Sequence, residues 1–440
     1  MKALHRLINR INERGAFIFL TPCISVIGNC SEEILFGLIR ARREGKRLVL
    51  LHPFDLPWKF RFPLTNRELF DVFSPYRCDP PAALRFLARL LLTALYGPPN
   101  VLTRILGKFF GPKALLKGRL THPALGTDTL WKPEADVAEF DWKIVERYRW
   151  SEQLQTPLAV GLHPDKRARA HRLRARMGIP ENAWFACLHV RESGFYDDQS
   201  YFACRNATIS NYIPMIQEVA ARGGWVVRLG DQSMTSLPSM ERVIDYPRTR
   251  FKSDLMDLYL LSECRFYIGM SSGILDTAQL FQRPTLLTNM TNMTFIYPRR
   301  LCDRGLPKHV YSRPQGRFLS AQEIIAAPWE AQHYHTLGAD FELHENSPEE
   351  LREAAVEFLN ILEGSDGAPT PLQAQANRLR IAHGRRLLDG PIDDPLVDIN
   401  IRYRIAARLE SSIGSLSMAF LEKNWSRSAC LARPSPSAIL

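Results

Sequence analysis

The alternation of short apolar runs with helical ones over residues 184–290 constrains the fold most. WFACLHV (184–190), WVVRLG (225–230), RVIDY (242–246), RFYIGM (265–270) and PTLLTN (284–289) read as strands, most of them buried. Helices are predicted over 211–224, 253–264 and 274–282, the second opened by Ser253 as its cap. Strands separated by helices pair in parallel through right-handed crossovers, which gives a Rossmann-like sheet. A second, shorter copy of the pattern lies near the start. FIFLTPCISVIGN (17–29) reads as a strand ending in a turn at Gly28, 31–46 as a helix capped by Ser31, and RLVLLHPF (47–54) as a buried strand. In parallel sheets ligands gather at the carboxyl ends of the strands, so the residues at those ends are the candidate site.

Three sequence features meet that description. His189-Val190-Arg191 ends one strand, and alternation puts His189 and Arg191 on one face. An arginine there can clamp a diphosphate, or close an ion pair. Ser271-Ser272-Gly273 stands between a strand and a helix, where free N–H groups and the helix dipole attract phosphate; plain N-capping by serine explains the same residues. Arg228-Leu229-Gly230-Asp231 ends another strand; Asp231 can accept from a sugar hydroxyl, pair with Arg228 or cap a turn.

Charge narrows the partners. The 440 residues carry 57 Lys and Arg against 46 Asp and Glu, a net charge of +11, which suits anionic partners. Much of the excess lies in 80–127, which has Arg85, Arg89, Arg104, Lys108, Lys113, Lys117 and Arg119, many leucines and no acid. Such a stretch suits an anionic membrane surface, or a pair of core helices with a basic outer face. Bases interleaved with leucine rather than aromatic residues disfavour nucleic acid as partner. The first fifteen residues form a short amphipathic helix without a signal-peptide core. The eight cysteines include no C-x-x-C pair and read as thiols of a reducing, cytoplasmic compartment. The motifs of P-loop, dinucleotide-binding and nucleophile-elbow enzymes are missing, and so is the D-x-D pair that holds a metal in many sugar transferases. His333, His335, Asp340 and His344 match no zinc spacing.

Taken together, CLHVRESGFY, RNATISNYIPMIQEVAARGGWVVRLGD and CRFYIGMSSGILDTAQLFQRPTLLTN resemble a bacterial family of glycosyltransferases. That family is distantly similar to O-fucosyltransferase-type enzymes of the GT-B fold. The resemblance is most specific over 184–290 and weaker over 16–60. It implies an α/β chain of two Rossmann-like domains facing a cleft: an N-terminal helix (1–15), an acceptor-side domain (16–165) carrying the basic insertion 80–127, a donor domain (166–330), and a helical extension with a tail (331–440). It implies transfer of a hexosyl or fucosyl-type sugar, with inversion, from a nucleoside-diphosphate donor to a surface-glycan or lipid-linked acceptor, at the inner membrane face and without a metal or other cofactor. Relatives contact donor phosphate through the Arg matching Arg191 and the turn matching Ser271, Ser272 and Gly273. Arg205 and Asn206 match a loop motif of the family. Met270 stands where relatives often carry a small polar residue. His189, Arg228 and Asp231 complete the expected donor side, and Gly28 and Asn29 the acceptor side. Arg191 is expected to stabilise the departing diphosphate. Glu192, Asp197 and Asp198 are the carboxylates near it, with Glu192 and Asp198 the candidate bases. A binding protein without turnover, or a basic nucleic-acid-binding protein, are the alternatives.

Overall fold

The computed structural model describes residues 2–24, 26–54, 64–95, 155–193, 203–326, 340–390, 405 and 408–426. In chain order the helices are α1 (Lys2–Arg14), α2 (Ile27–Arg43), α3 (82–95), α4 (Pro164–Arg176), α5 (Ile213–Ala221), α6 (Asp254–Glu263), α7 (Gly273–Leu280), α8 (Ala321–Ile325), α9 (Pro348–Leu362), α10 (Pro371–Asp389) and α11 (Met418–Asn424). The strands are β1 (Phe17–Leu20), β2 (Arg47–Leu50), β3 (Phe185–His189), β4 (Trp225–Arg228), β5 (Val243–Asp245), β6 (Phe266–Gly269), β7 (Thr285–Met290), β8 (Arg304–Pro307), β9 (His309–Ser312), β10 (Arg317–Phe318), β11 (Phe341–His344) and β12 (Ser415–Leu416).

Seven strands form one sheet in the order β12-β8-β7-β6-β3-β4-β5, and every pairing in it is parallel. Leaving β12 aside, the chain starts at β3, steps outward to β4 and β5, then returns to the other side of β3 for β6, β7 and β8. That is the strand order of doubly wound Rossmann sheets, and its switch point lies between β3 and β6. Five buried residues in a row in β3 and four in β6 show why these strands read as continuous apolar runs: both faces of the sheet are covered.

Near the start of the chain, β1 and β2 pair in parallel across the α2 crossover. Gly37 of α2 lies against Leu20 and Leu48, where an added Cβ would come within 3.0 Å of either leucine. The helix expected to begin at Ser31 begins a turn earlier, at Ile27. Ser31 is therefore inside it, and its hydroxyl bonds Thr277 of α7 at 2.8 Å.

The helical extension expected beyond 330 belongs to the larger body. Glu357 of α9 takes Nε of Arg304 on β8 at 2.7 Å, the backbone N–H of Met418 at 2.7 Å, the Ser417 hydroxyl at 3.0 Å and the Gln373 amide at 3.1 Å. One carboxylate thereby joins β8 to α10, α11 and the end of β12. Phe358, Leu416 and Phe420 are buried in the same core as Phe266. Capping boxes start α8, α9 and α10, at Ser320 with Glu323, Ser347 with Glu350 and Thr370 with Gln373. A separate three-stranded antiparallel sheet, β10-β9-β11, packs its own small core of Val310, Leu319 and Ile324.

Of the basic insertion, 82–95 is helical, and 96–127 lies outside the described residues. Leu84, Phe86, Leu87, Leu90, Leu91 and Leu95 of α3 are exposed, while Leu92 is buried. No helix among the described residues is long and apolar enough to cross a membrane.

Candidate functional site

The all-parallel sheet brings the ends of β3, β4, β6, β7 and β8 to one edge. At the switch point His189 is in register with Gly269, so the sequence pieces HVR and GMSSG become neighbours. The splayed helices on either side of such a point leave a crevice in doubly wound folds.

Ser272 occupies the N-cap of α7 in extended conformation, φ −155° and ψ 163°, with no side-chain bond to the helix. Its hydroxyl instead faces His189 Nδ1 at 3.2 Å. The Ser272 side chain thus leaves the first N–H groups of α7 uncapped, the arrangement that receives an oxyanion. Ser271, 5% exposed, precedes it.

Gly273 follows Ser272 as the first residue of α7. What approaches it is Gly28 of α2: a Cβ on Gly273 would lie 2.9 Å from Gly28 N, and one on Gly28 would lie 2.7 Å from Gly273 Cα. Two helix N-termini, one from each α/β block, meet at this glycine pair. Their dipoles have the same sign where they meet, which favours an anion close by. Asp276 lies beside Gly28 in the first turn of α7 and supplies part of that negative charge. Asn29 is half-buried on α2, next to the crossing.

His189 is 7% exposed, and burial pushes its pKa down to about 3, helped by Arg228 and Arg191 and opposed by Asp231. Its imidazole is neutral at physiological pH and fixes the Ser272 hydroxyl rather than carrying charge. Arg191, equally buried, is held on three sides. Its Nη1 donates to Asn206 Oδ1 at 2.6 Å, its N–H to Met270 Sδ at 3.1 Å, and its carbonyl accepts from Ala207 N at 2.9 Å. Met270 thus anchors the arginine through a soft acceptor. Arg205 closes the short 3₁₀ turn Ala203–Arg205 just before Asn206.

Other expected site residues have internal partners. Arg228 is fully buried and bonds Asp245 at 3.1 Å, Glu192 at 3.2 Å and the carbonyl of Thr235. Glu192, a candidate base by sequence, closes this ion pair with one oxygen and accepts Thr235 N at 2.6 Å with the other. An arginine without a water shell needs carboxylate partners, and Glu192 is engaged as one of the two. Asp231 caps a turn, accepting Ser233 N at 2.8 Å. Asp197 and Asp198 lie outside the described residues, as do His333 and His335.

One element of this edge escaped the sequence reading. Lys308, 3% exposed, stands between β8 and β9 and donates from Nζ to the carbonyl of Asn206 at 2.6 Å. Its stretch carried no recognised strand pattern, and a lone lysine has no signature. Beside it, Tyr212, Thr288 and Asn289 form a buried chain of hydrogen bonds of 2.7 and 2.9 Å that ties α5's entry to the end of β7. Among the described residues no three His, Cys, Asp or Glu side chains form a group able to hold a metal ion.

No protein-family model and no curated protein matches the chain. Among solved structures it is similar to a family 9 glycosyl transferase from Veillonella parvula (12% identity, 62% of this chain and 79% of that one, TM-score 0.31). It is also similar to the E. coli ADP-heptose lipopolysaccharide heptosyltransferase II (12% identity, 79% and 99%, TM-score 0.35). A third is the NodZ α-1,6-fucosyltransferase soaked with GDP-fucose (16% identity, 60% and 92%, TM-score 0.26). Identities this low with TM-scores below 0.5 carry no conclusion about fold or chemistry.

Proposed function

We propose that the chain is a glycosyltransferase that takes a sugar from a nucleoside-diphosphate donor held at the β3/β6 switch point. The observation that carries this reading is the conjunction there of buried Arg191, neutral His189 and the N-terminus of α7, left uncapped by the Ser272 side chain. Glycosyl transfer develops positive charge on the sugar ring and negative charge on the leaving diphosphate. Arg191 and the first N–H groups of α7 supply fixed positive charge for that leaving group, the role a divalent cation fills elsewhere. His189 contributes by orienting Ser272. The acceptor, a surface glycan or lipid-linked sugar, approaches from the α2 side, across Gly28 and Asn29. With Glu192 engaged by Arg228, Asp198 remains the candidate base for an inverting reaction on a hexosyl or fucosyl-type donor.

A thermal-shift panel of nucleoside diphosphates and their sugars tests the reading, run with chelator on wild type and Arg191→Ala. Binding to the native state raises its stability, by about 2.7 kcal/mol at one hundred times Kd. The expected result is a shift with one nucleotide that survives chelator and vanishes in the variant. No shift with any nucleotide overturns the donor assignment.

The place of action we propose is the inner membrane face, reached through α3. Its six exposed apolar side chains cover about half the helix circumference, and the sequence around them holds bases and no acid. Co-sedimentation with vesicles containing anionic lipid is expected to fall in Arg85→Gln/Arg89→Gln/Leu91→Glu; equal sedimentation overturns the membrane reading.

A further inference from the structure

The amino ends of the parallel strands lie on the edge of the sheet opposite His189 and Ser272. There a pocket opens between the approaches to β7 and β8. Gln279, Gln282 and Arg283 line one side, and Arg299, Arg300 and Asp303 the other. Its walls are fixed. Gln282 follows the end of α7 in the left-handed region, φ 54°, and its amide accepts Leu158 N at 2.8 Å and donates to the Thr156 carbonyl at 3.1 Å. Asp303, 2% exposed, accepts the backbone N–H groups of Thr285 at 2.8 Å, Arg300 at 3.0 Å and Arg299 at 3.2 Å. Its carboxylate thereby clamps the loop that carries both arginines.

The donors around this pocket are underused. The Arg300 guanidinium makes no hydrogen bond or ion pair among the described residues, and only its backbone N–H is bonded. Arg283 makes one long bond, from Nη1 to the Cys264 carbonyl at 3.4 Å, and its Nε is buried without a partner. The Gln279 amide oxygen is likewise buried without a partner, and turning that amide over presents N–H donors in its place. Arg299 differs, since its Nη2 lies 3.7 Å from Glu32 on α2. Arg300 feels the positive charge of Arg283 and Arg299 together, so the guanidiniums repel one another around the pocket. Buried donors without partners and converging like charges are both costly, and an oxyanion relieves both. We infer that this pocket is an oxyanion site, separate from the donor edge, that takes a phosphoryl group, either free phosphate or the end of a phosphate monoester. Arg300 and Arg283 supply planar forks that grip such an oxyanion through paired N–H donors, and Gln279 supplies a neutral donor. None of these residues belongs to the donor edge, so the site stands or falls independently of the donor reading.

Thermal shift in phosphate-free buffer at fixed ionic strength tests the site, on the full chain as wild type, Arg300→Gln, Arg283→Gln and Arg191→Ala. The probes are inorganic phosphate, glycerol phosphate as the monoester, and chloride. A phosphate probe is expected to raise the melting point of wild type and of Arg191→Ala, and chloride is not. Each glutamine variant is expected to need roughly tenfold or more of the same probe for an equal shift, the scale of a lost charge-assisted contact. Without ligand, Arg300→Gln is expected to melt no lower than wild type, because removing one of the converging charges relieves repulsion; that separates lost binding from lost folding. A larger shift with inorganic phosphate makes the free ion the ligand, and a larger shift with the monoester makes it a phosphorylated small molecule; both support the site. A shift abolished in Arg191→Ala and kept in Arg300→Gln overturns the inference and puts the phosphate at the donor edge. No shift with either phosphate probe, or an equal shift with chloride, overturns it as well. A shift lost in Arg300→Gln and Arg283→Gln, in a chain that binds no nucleoside diphosphate, keeps this site and overturns the donor reading alone.

Discussion

Replacing His189 by asparagine isolates the titration of the imidazole at the switch point. In the folded chain the His189 pKa is pushed from 6.5 down to about 3. In the unfolded chain it returns to the ordinary value near 6.5. Below pH 6.5 the unfolded chain therefore binds a proton that the folded chain refuses. The folded value lies below the unfolded one, so the contribution is complete above pH 6.5 and is lost as pH falls toward 3. Each pH unit in that window costs about 1.4 kcal/mol. Between pH 7 and pH 5 the group spans about 1.5 units of the window, so His189 alone removes about 2 kcal/mol of stability. Burial is the leading cause; Arg228, Arg191 and Lys252 push the same way and Asp231 opposes. Asparagine keeps a polar group toward Ser272 and does not titrate. Urea unfolding of both proteins at pH 7 and pH 5 measures the difference. Wild type is expected to lose about 2 kcal/mol more than His189→Asn over that interval. Equal losses would refute a buried neutral imidazole and, with it, the claim that His189 acts by orienting Ser272.

Gly28→Ala is expected to destabilise by about 1–3 kcal/mol, the cost of overpacking, because its Cβ meets the Gly273 backbone, which cannot rotate away, at 2.7 Å as well as Asp276 Oδ2 at 2.7 Å; a melting point equal to wild type would refute the glycine crossing. The same variant moves α2 off the turn at Ser272, so the thermal shift with donor nucleotide is expected to shrink as well. Glu192→Gln is expected to lower stability by about 1–3 kcal/mol, the scale of a charged hydrogen-bond partner removed from buried Arg228, with kcat kept within about tenfold. A kcat loss of several orders of magnitude at unchanged stability would make Glu192 the base instead. Ser347→Ala removes the cap of α9 and is expected to cost about 1 kcal/mol in urea unfolding.

The strands of the large sheet and the helices between them were legible because their signals are local. A buried parallel strand needs a run of apolar residues, a helix start needs a cap such as Ser253 bonding Met256 N, and each signal lies within a few residues of what it specifies. Right-handed crossovers then leave few topologies, so placing His189 and Ser272 at one edge followed from the alternation. Tertiary structure decided which of those edge residues are available. Glu192 and Asp198 look alike in sequence; only the fold shows Glu192 bound to Arg228, whose other carboxylate, Asp245, lies on another strand. Ser31 read as a helix cap, and its hydroxyl found its partner 246 residues away. Gly28 and Gly273 carried separate local explanations, and their shared reason is a crossing of two helices from different blocks. Lys308 and Glu357 have no local signature at all, since a charge buried by distant segments is recognisable only once those segments surround it. Periodicity encodes the direction a side chain takes from its own backbone, and the partner it meets there is set by the packing of the whole chain.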